Sequence, residues 1–175
     1  MKFIISIITL FLLNGCLNND MKPIDFKDQK PRLIIEEYLS GNVKAYGILQ
    51  NRSGKVTRQF TAELNGKWDG KQLILDEKFN WSDGEVQTRQ WQINKIDEHH
   101  YEGTAEDVVG TAKGFSYGPA FKFEYVLLVP VKGKEIKITF DDWIFMQDDK
   151  VAINRATMTK FGFKVAELTV SFIKN

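Results

Sequence analysis

Apolar and polar residues alternate along most of this chain, and the alternation is clearest from Lys55 to Trp68. The even positions there are Val56, Arg58, Phe60, Ala62, Leu64, Gly66 and Trp68, while the odd positions Lys55, Thr57, Gln59, Thr61, Glu63, Asn65 and Lys67 are all polar. A period of two with one apolar face predicts a β-strand buried on one side and wet on the other. Similar segments predict further strands over 42–50, 71–81, 85–96, 100–109, 119–130, 135–146, 150–159 and 164–173. Between them stand turn residues, among them Asn51-Arg52-Ser53-Gly54, Asp69-Gly70, Ser82-Asp83-Gly84, Lys132-Gly133-Lys134 and Phe161-Gly162. Gly, Asn and Asp accept the positive φ angles of tight hairpins. The connection around Gly110 to Pro119 is longer and rich in glycine. Before the first strand, Pro31 to Gly41 carries an early proline and a closing glycine, which predicts a short helix.

Strands joined in sequence by hairpins make a meander, and a long meander removes its exposed edges by closing on itself. The predicted fold class is all-β: an antiparallel up-and-down barrel of eight to ten strands, lipocalin- or calycin-like, behind a short N-terminal helix. A barrel spanning an outer membrane is excluded, because the second face of the strands is too charged to meet lipid.

The amino terminus breaks the pattern. Met1-Lys2 precedes an apolar run from Phe3 to Leu13, followed by Leu13-Asn14-Gly15-Cys16. The run is too short for a transmembrane helix, which needs about 20 residues, and has the anatomy of a signal peptide. Leu-x-Gly-Cys resembles the lipobox of bacterial lipoproteins, although Asn14 stands where a smaller residue is usual. Cys16 is the single cysteine of the chain. The expectation is a signal peptide over 1–15, a lipidated tether over 16–31 and one barrel domain over 32–175, held to a membrane through acylated Cys16. Two or more acyl chains suffice for stable anchoring. Leu17 follows the cysteine; the absence of Asp there favours the periplasmic face of the outer membrane in a Gram-negative host.

Composition narrows the partners. Removal of residues 1–15 from the 175 leaves 160, and takes with it only Lys2, so 23 of the 24 basic residues remain against 23 acidic ones. A balanced chain gives no general electrostatic hold on nucleic acid. With one cysteine no internal disulfide forms. Thirteen Phe and four Trp suit a sheet-rich protein with an aromatic interior.

Charged residues interrupt the apolar faces: Arg58, Glu77, Arg89, Asp107 and Asp142. Hairpin arithmetic sets Glu77 opposite Arg89, Arg89 opposite Asp107, Asp142 opposite Arg155, Arg155 near Glu167, and Gly47 opposite Arg58. The expected neighbours alternate in sign around one level of the barrel. Two readings follow. The ring is a buried salt-bridge network, since buried charges need opposite partners, or it is a polar floor for the headgroup of an amphipathic ligand such as a lipid or fatty acid. His99-His100 and the Asp141-Asp142 and Asp148-Asp149 pairs lack the spacing of a metal site. No Ser-His-Asp elbow, phosphate loop or cysteine nucleophile follows Cys16, so no cofactor, metal or catalytic residue is expected, and an enzyme acting on lipid is the third reading.

Several runs together resemble one family: Gly41 to Ile48, Phe60-Thr61, Leu75-Asp76-Glu77-Lys78-Phe79, Asp83-Gly84, Arg89-Gln90-Trp91, Tyr101 to Gly110, and Asp141-Asp142-Trp143. They are similar to the domain of unknown function 3833 family of bacterial lipoproteins, over about residues 35 to 173. The resemblance implies an envelope location and supplies no catalytic residues.

The lipobox gives a direct test. Cys16→Ala is expected to abolish acylation, leaving an unprocessed precursor or a protein released without detergent. Mature-sized, membrane-held protein from that variant, seen by fractionation and immunoblot, would remove the lipoprotein reading.

Overall fold

The computed structural model describes residues 21–174 apart from Lys132, and the signal peptide and Cys16 lie outside the described residues. Ten antiparallel strands form a closed barrel: β1 (Gly41–Asn51), β2 (Val56–Trp68), β3 (Gln72–Trp81), β4 (Val86–Lys95), β5 (His100–Thr104), β6 (Ala112–Tyr117), β7 (Ala120–Val131), β8 (Lys134–Met146), β9 (Val151–Lys160) and β10 (Phe163–Lys174). Each pairs with its sequence neighbours, and β1 closes the ring on β10 from Val43↔Lys174 to Asn51↔Ala166. The alternation expected in β2 is observed: Phe60, Ala62, Leu64 and Gly66 are buried and their neighbours exposed.

Two differences from the sequence reading matter. The glycine-rich stretch before Pro119 contains β6, whose Ala112, Gly114 and Ser116 face inward. Small residues there blur the apolar period, so the strand is hidden in the sequence. Gly114 is small because Phe121 and Tyr101 crowd the place a Cβ would take. The strand expected over 100–109 stops at Thr104, and residues 105–111 form a connection that still touches the wall, with Val109 N donating to Val126 O at 2.8 Å and Leu128 N to Asp107 O at 2.9 Å.

One end of the barrel is plugged. The single-turn helix α1 (Ile35–Tyr38), shorter than the sequence suggested, inserts Leu33, Ile35, Tyr38 and Leu39, all almost fully buried. Gly41 ends the segment with φ of 80°, a left-handed turn that favours glycine. Glu36 is buried in this plug. Burial would raise its pKa, but hydrogen bonds from Lys95 and Tyr101, the latter at 2.8 Å, hold it below the ordinary carboxylate value. The plug thus carries its own neutralised charge.

Residues 21–31, expected to be part of a tether, lie against the barrel instead. A 3-10 turn (Pro23–Phe26) places the Phe26 ring 6.1 Å from Trp143 and 5.5 Å from Phe145, on the outer face of β8. An apolar ring with a matching aromatic patch is buried there rather than left in water. Residues 21–174 close the barrel and carry its plug and both apolar core clusters.

Candidate functional site

The barrel axis is filled by rings. Trp91 lies 5.1 Å from Phe123 and 5.3 Å from Tyr125, which stacks on Phe140 at 4.9 Å. Below this stack, away from the plug, sits a polar cluster built from alternate inward positions of five strands and one loop. β3 supplies Glu77 and β4 supplies Arg89, directly opposite in the ladder as expected. Asp107 arrives from the connection after β5, β7 supplies Tyr125, β8 Asp142 and β9 Asn154.

Arg89 organises the cluster. Its Nε and Nη2 donate to Asp107 Oδ1 and Oδ2 at 3.0 and 2.7 Å, a two-pronged pairing suited to guanidinium and carboxylate. Its Nη1 lies 3.7 Å from Glu77 Oε2. Beyond them the Tyr125 hydroxyl donates to Asp142 Oδ2 at 2.9 Å, and Asn154 Nδ2 donates to the other oxygen of Asp142 and to Trp143 O. Glu77 Oε2 is shielded from solvent and has no hydrogen-bond donor within reach.

The electrostatics follow from this geometry. Burial lifts Glu77 to a pKa of about 7; Arg89 opposes the rise, and Asp142 and Asp107 add to it. Burial likewise lifts Asp142 to about 6, against the hydrogen bonds from Asn154 and Tyr125. Burial alone would lower Arg89, but Glu77 and Asp107 outweigh it and hold the guanidinium charged. Three carboxylates share one guanidinium, so the group carries more acid than base.

Two residues expected in this ring are elsewhere. Arg58 is not opposite Gly47. A bulge between Leu49 and Gln50 shifts the β1–β2 register, so that Leu49 faces Arg58 and Gly47 faces Phe60, whose ring fills the space a side chain at Gly47 would need. Arg58 sits at the open rim, 2.7 Å from both Asp83 Oδ1 and Glu85 Oε2, with its guanidinium 4.1 Å from the Trp81 ring centroid. Arg155 points outward. The β8–β9 turn sets Asp142 opposite Ala156 rather than Arg155, and a slip of one residue reverses the face. Arg155 does meet Glu167, at 2.9 Å, but on the outer surface. Tyr125 and Asn154 were not anticipated: a tyrosine among the aromatics of β7 carries no local sign of a polar role, and the two faces of β9 look alike in sequence.

The wall is incomplete beside this cluster. β3 pairs with β4 as far as Val86, yet β5 pairs with β4 only over Gln92 to Lys95. Residues 86–91 of β4 therefore have no strand on that side. Lys95 N donates toward β3, and direction alternates along a strand, so the amides of Thr88 and Gln90 face the opening. A cleft of about 1010 Å3 wraps around this edge. It is bounded by the inward-facing Glu77 and Arg89, the loop residues Glu106 and Asp107, and outward-facing Thr88 and Gln90. Its carboxylates, Glu63, Asp76, Glu77, Glu106, Asp107 and Glu135, outnumber Lys78 and Arg89.

A closed meander with a plugged end and a polar group under its aromatic stack defines a lipocalin-like barrel. The chain belongs to the family described as "Protein of unknown function (DUF3833)", whose model matches residues 10–174. Solved structures agree on the fold. An S-type phycobiliprotein lyase, CPES, from Guillardia theta superposes with a TM-score of 0.59 at 8% identity, covering 80% of this chain and 90% of that one. A protein of unknown function of the DUF3598 family from Nostoc punctiforme PCC 73102 gives 0.62 at 14% identity, with 84% of this chain and 51% of that one covered. No curated protein matches the sequence.

The raised carboxylates make stability depend on pH in a defined direction. Their folded pKa values lie above the unfolded ones, so between the two the folded state binds more protons, and stability falls as pH rises from about 4 to about 7. Glu77→Gln is expected to flatten this fall and to stabilise above pH 7 by on the order of 3 kcal/mol, from the size of its shift. Arg89→Ala, which strands the acids, is expected to cost about 3–5 kcal/mol and to steepen the fall. Urea melts across this pH range check both; parallel pH profiles for wild type and Glu77→Gln would contradict the assigned burial.

Proposed function

We propose that this protein is a lipid-anchored envelope protein, facing the periplasm, whose barrel binds a small amphipathic ligand in the cleft at the open edge of β4. The observation that carries the reading is the coincidence of that opening with the polar cluster. A cleft of about 1010 Å3 meets Arg89, Asp107 and Glu77 where the wall lacks a strand, and ligand sites combine such a concavity with a few convergent polar groups. Backbone amides at Thr88 and Gln90 are the hydrogen-bonding groups on offer at the open edge. The rings that fill the axis leave the edge cleft, rather than the barrel centre, as the seat of the ligand. Anchoring rests on the lipobox-like run ending at Cys16, and the outer membrane on Leu17 behind it.

A second reading is favoured by the same stacked rings. A barrel filled by Trp91, Phe123, Tyr125 and Phe140 serves as a rigid structural or partner-binding component without a small-molecule ligand, and the polar cluster then only neutralises its own charges. An enzymatic role has less support, since the phycobiliprotein lyase of similar fold is only 8% identical and transfers no residue.

Native mass spectrometry of residues 17–175, purified without detergent, separates the two. The binding reading expects a co-purifying small molecule, or saturable micromolar displacement of a fluorescent fatty-acid or alkylamine probe, about −8 kcal/mol. Thr104→Trp, an exposed position on the cleft wall, should block the probe while the melting curve stays put. If nothing co-purifies and neither probe binds, the structural reading stands.

A further inference from the structure

The outer wall formed by β9, β10 and β1 differs from the rest of the surface. Its outward positions carry Lys44, Arg155 and Lys164 against one acid, Glu167, and Lys160 ends β9 at the rim; Lys174, in register with the buried Val43, turns its amine to Glu37 O in the plug. Glu167 is held between Arg155 and Lys164, which leaves it below the ordinary carboxylate range, at about 2. The same strands and the hairpin tip between them expose Tyr46, Ile153, Phe161, Phe163, Val165 and Ile173, six of the thirteen exposed large apolar side chains among the described residues.

The tip is the sharpest feature. Phe161 is 89% exposed and Phe163 70%. Phe161 also adopts φ of 51°, next to Gly162 at 79°. Two consecutive positive φ angles are what an Asn-Gly or Gly-Gly tight turn provides cheaply, and a bulky aromatic there is uncommon. The chain therefore accepts both backbone strain and solvent exposure to present a phenyl ring. Lys160 Nζ lies 5.3 Å from that ring, so the charge rides beside the apolar tip.

We propose that this wall is a peripheral membrane-docking surface, and that its occupant is a bilayer containing anionic lipid. Aromatic tips enter the interface while lysines remain at the level of the headgroups, and anionic headgroups answer a face and tip on which bases outnumber acids. A protein–protein interface core would be depleted in lysine. In the ring of ten strands β10 stands opposite β5. Seating the barrel on β9–β10–β1 consequently turns the β4–β5 cleft away from the lipid, toward water. The surface does not depend on acylation or on a ligand in the cleft.

The test uses residues 17–175, which contain the closed barrel, its plug and both core clusters, and lack Cys16. Sedimentation with vesicles of equimolar phosphatidylcholine and phosphatidylglycerol is expected to pull down the protein, and phosphatidylcholine alone to hold it far less. Lys160→Glu with Lys164→Glu, and separately Phe161→Asp, should each weaken binding about tenfold or more. Phe161 and Lys164 are exposed and Lys160 is half-buried at the end of β9, so far-UV spectra should not change and melts should shift little. Lys113→Glu on the opposite wall should bind as wild type. Absence of binding to the anionic vesicles, or binding untouched by both sets of substitutions, overturns the proposal. So does a dimer in sedimentation equilibrium that Phe161→Asp dissolves, since the face would then belong to a second copy of the chain.

Discussion

A guanidinium inside an apolar barrel cannot be left alone, and much of this molecule is arranged around that constraint. Arg89 projects inward beneath the aromatic stack, where an unpaired charge would cost several kcal/mol. Glu77, directly across the β3–β4 ladder, is too far to satisfy it, at 3.7 Å. The two-pronged bond comes from Asp107. To deliver that carboxylate the chain leaves β5 at Thr104 and crosses the wall as a loop, fastened to β7 by Leu128 N and Asp107 O. The short β5, the unpaired edge of β4 and the cleft beside it are consequences of the same arrangement.

The cluster is not electrically neutral when all its groups are ionised, and burial resolves the excess by raising carboxylate pKa values rather than by adding a second base. Glu77 at about 7 and Asp142 at about 6 fall where a modest change of surroundings changes their protonation. Glu77, the more strongly raised of the two, also borders the cleft. That juxtaposition ties the energetics of the interior to the proposed binding site. The plug end solves the same problem differently: Glu36 has Lys95 and Tyr101 in place, and its pKa is lowered.

Charge is also divided between the two sides of the barrel. The β9–β10–β1 wall is basic and exposes apolar side chains, while the cleft around β3–β5 is acidic. The near-zero net charge of the whole chain hides this division, because oppositely charged surfaces cancel in a sum. A barrel held beside a membrane with one wall toward lipid and an acidic cleft toward water is a physically consistent arrangement of these two surfaces.

Alternation of period two was enough to read an all-β meander, its closure and most strands from the sequence, because one face of each strand must be buried and a slip of one residue would expose it. The pairing of Glu77 with Arg89 followed from the same arithmetic across a short, regular hairpin, and the family resemblance rested on runs that span the barrel. The strand at Ala112 to Tyr117 escaped, since its inward positions are small and are matched to large rings on distant strands. Arg58 keeps the inward face expected of it but stands at the rim, where a bulge at Leu49/Gln50 changes its partner, whereas Arg155 was assigned to the interior wrongly because the turn at Asp148 moves the register by one; side-chain identity reveals neither backbone choice. Local sequence determined which residues could be buried; only the closed barrel decided which of them meet, because those contacts join strands far apart in the chain.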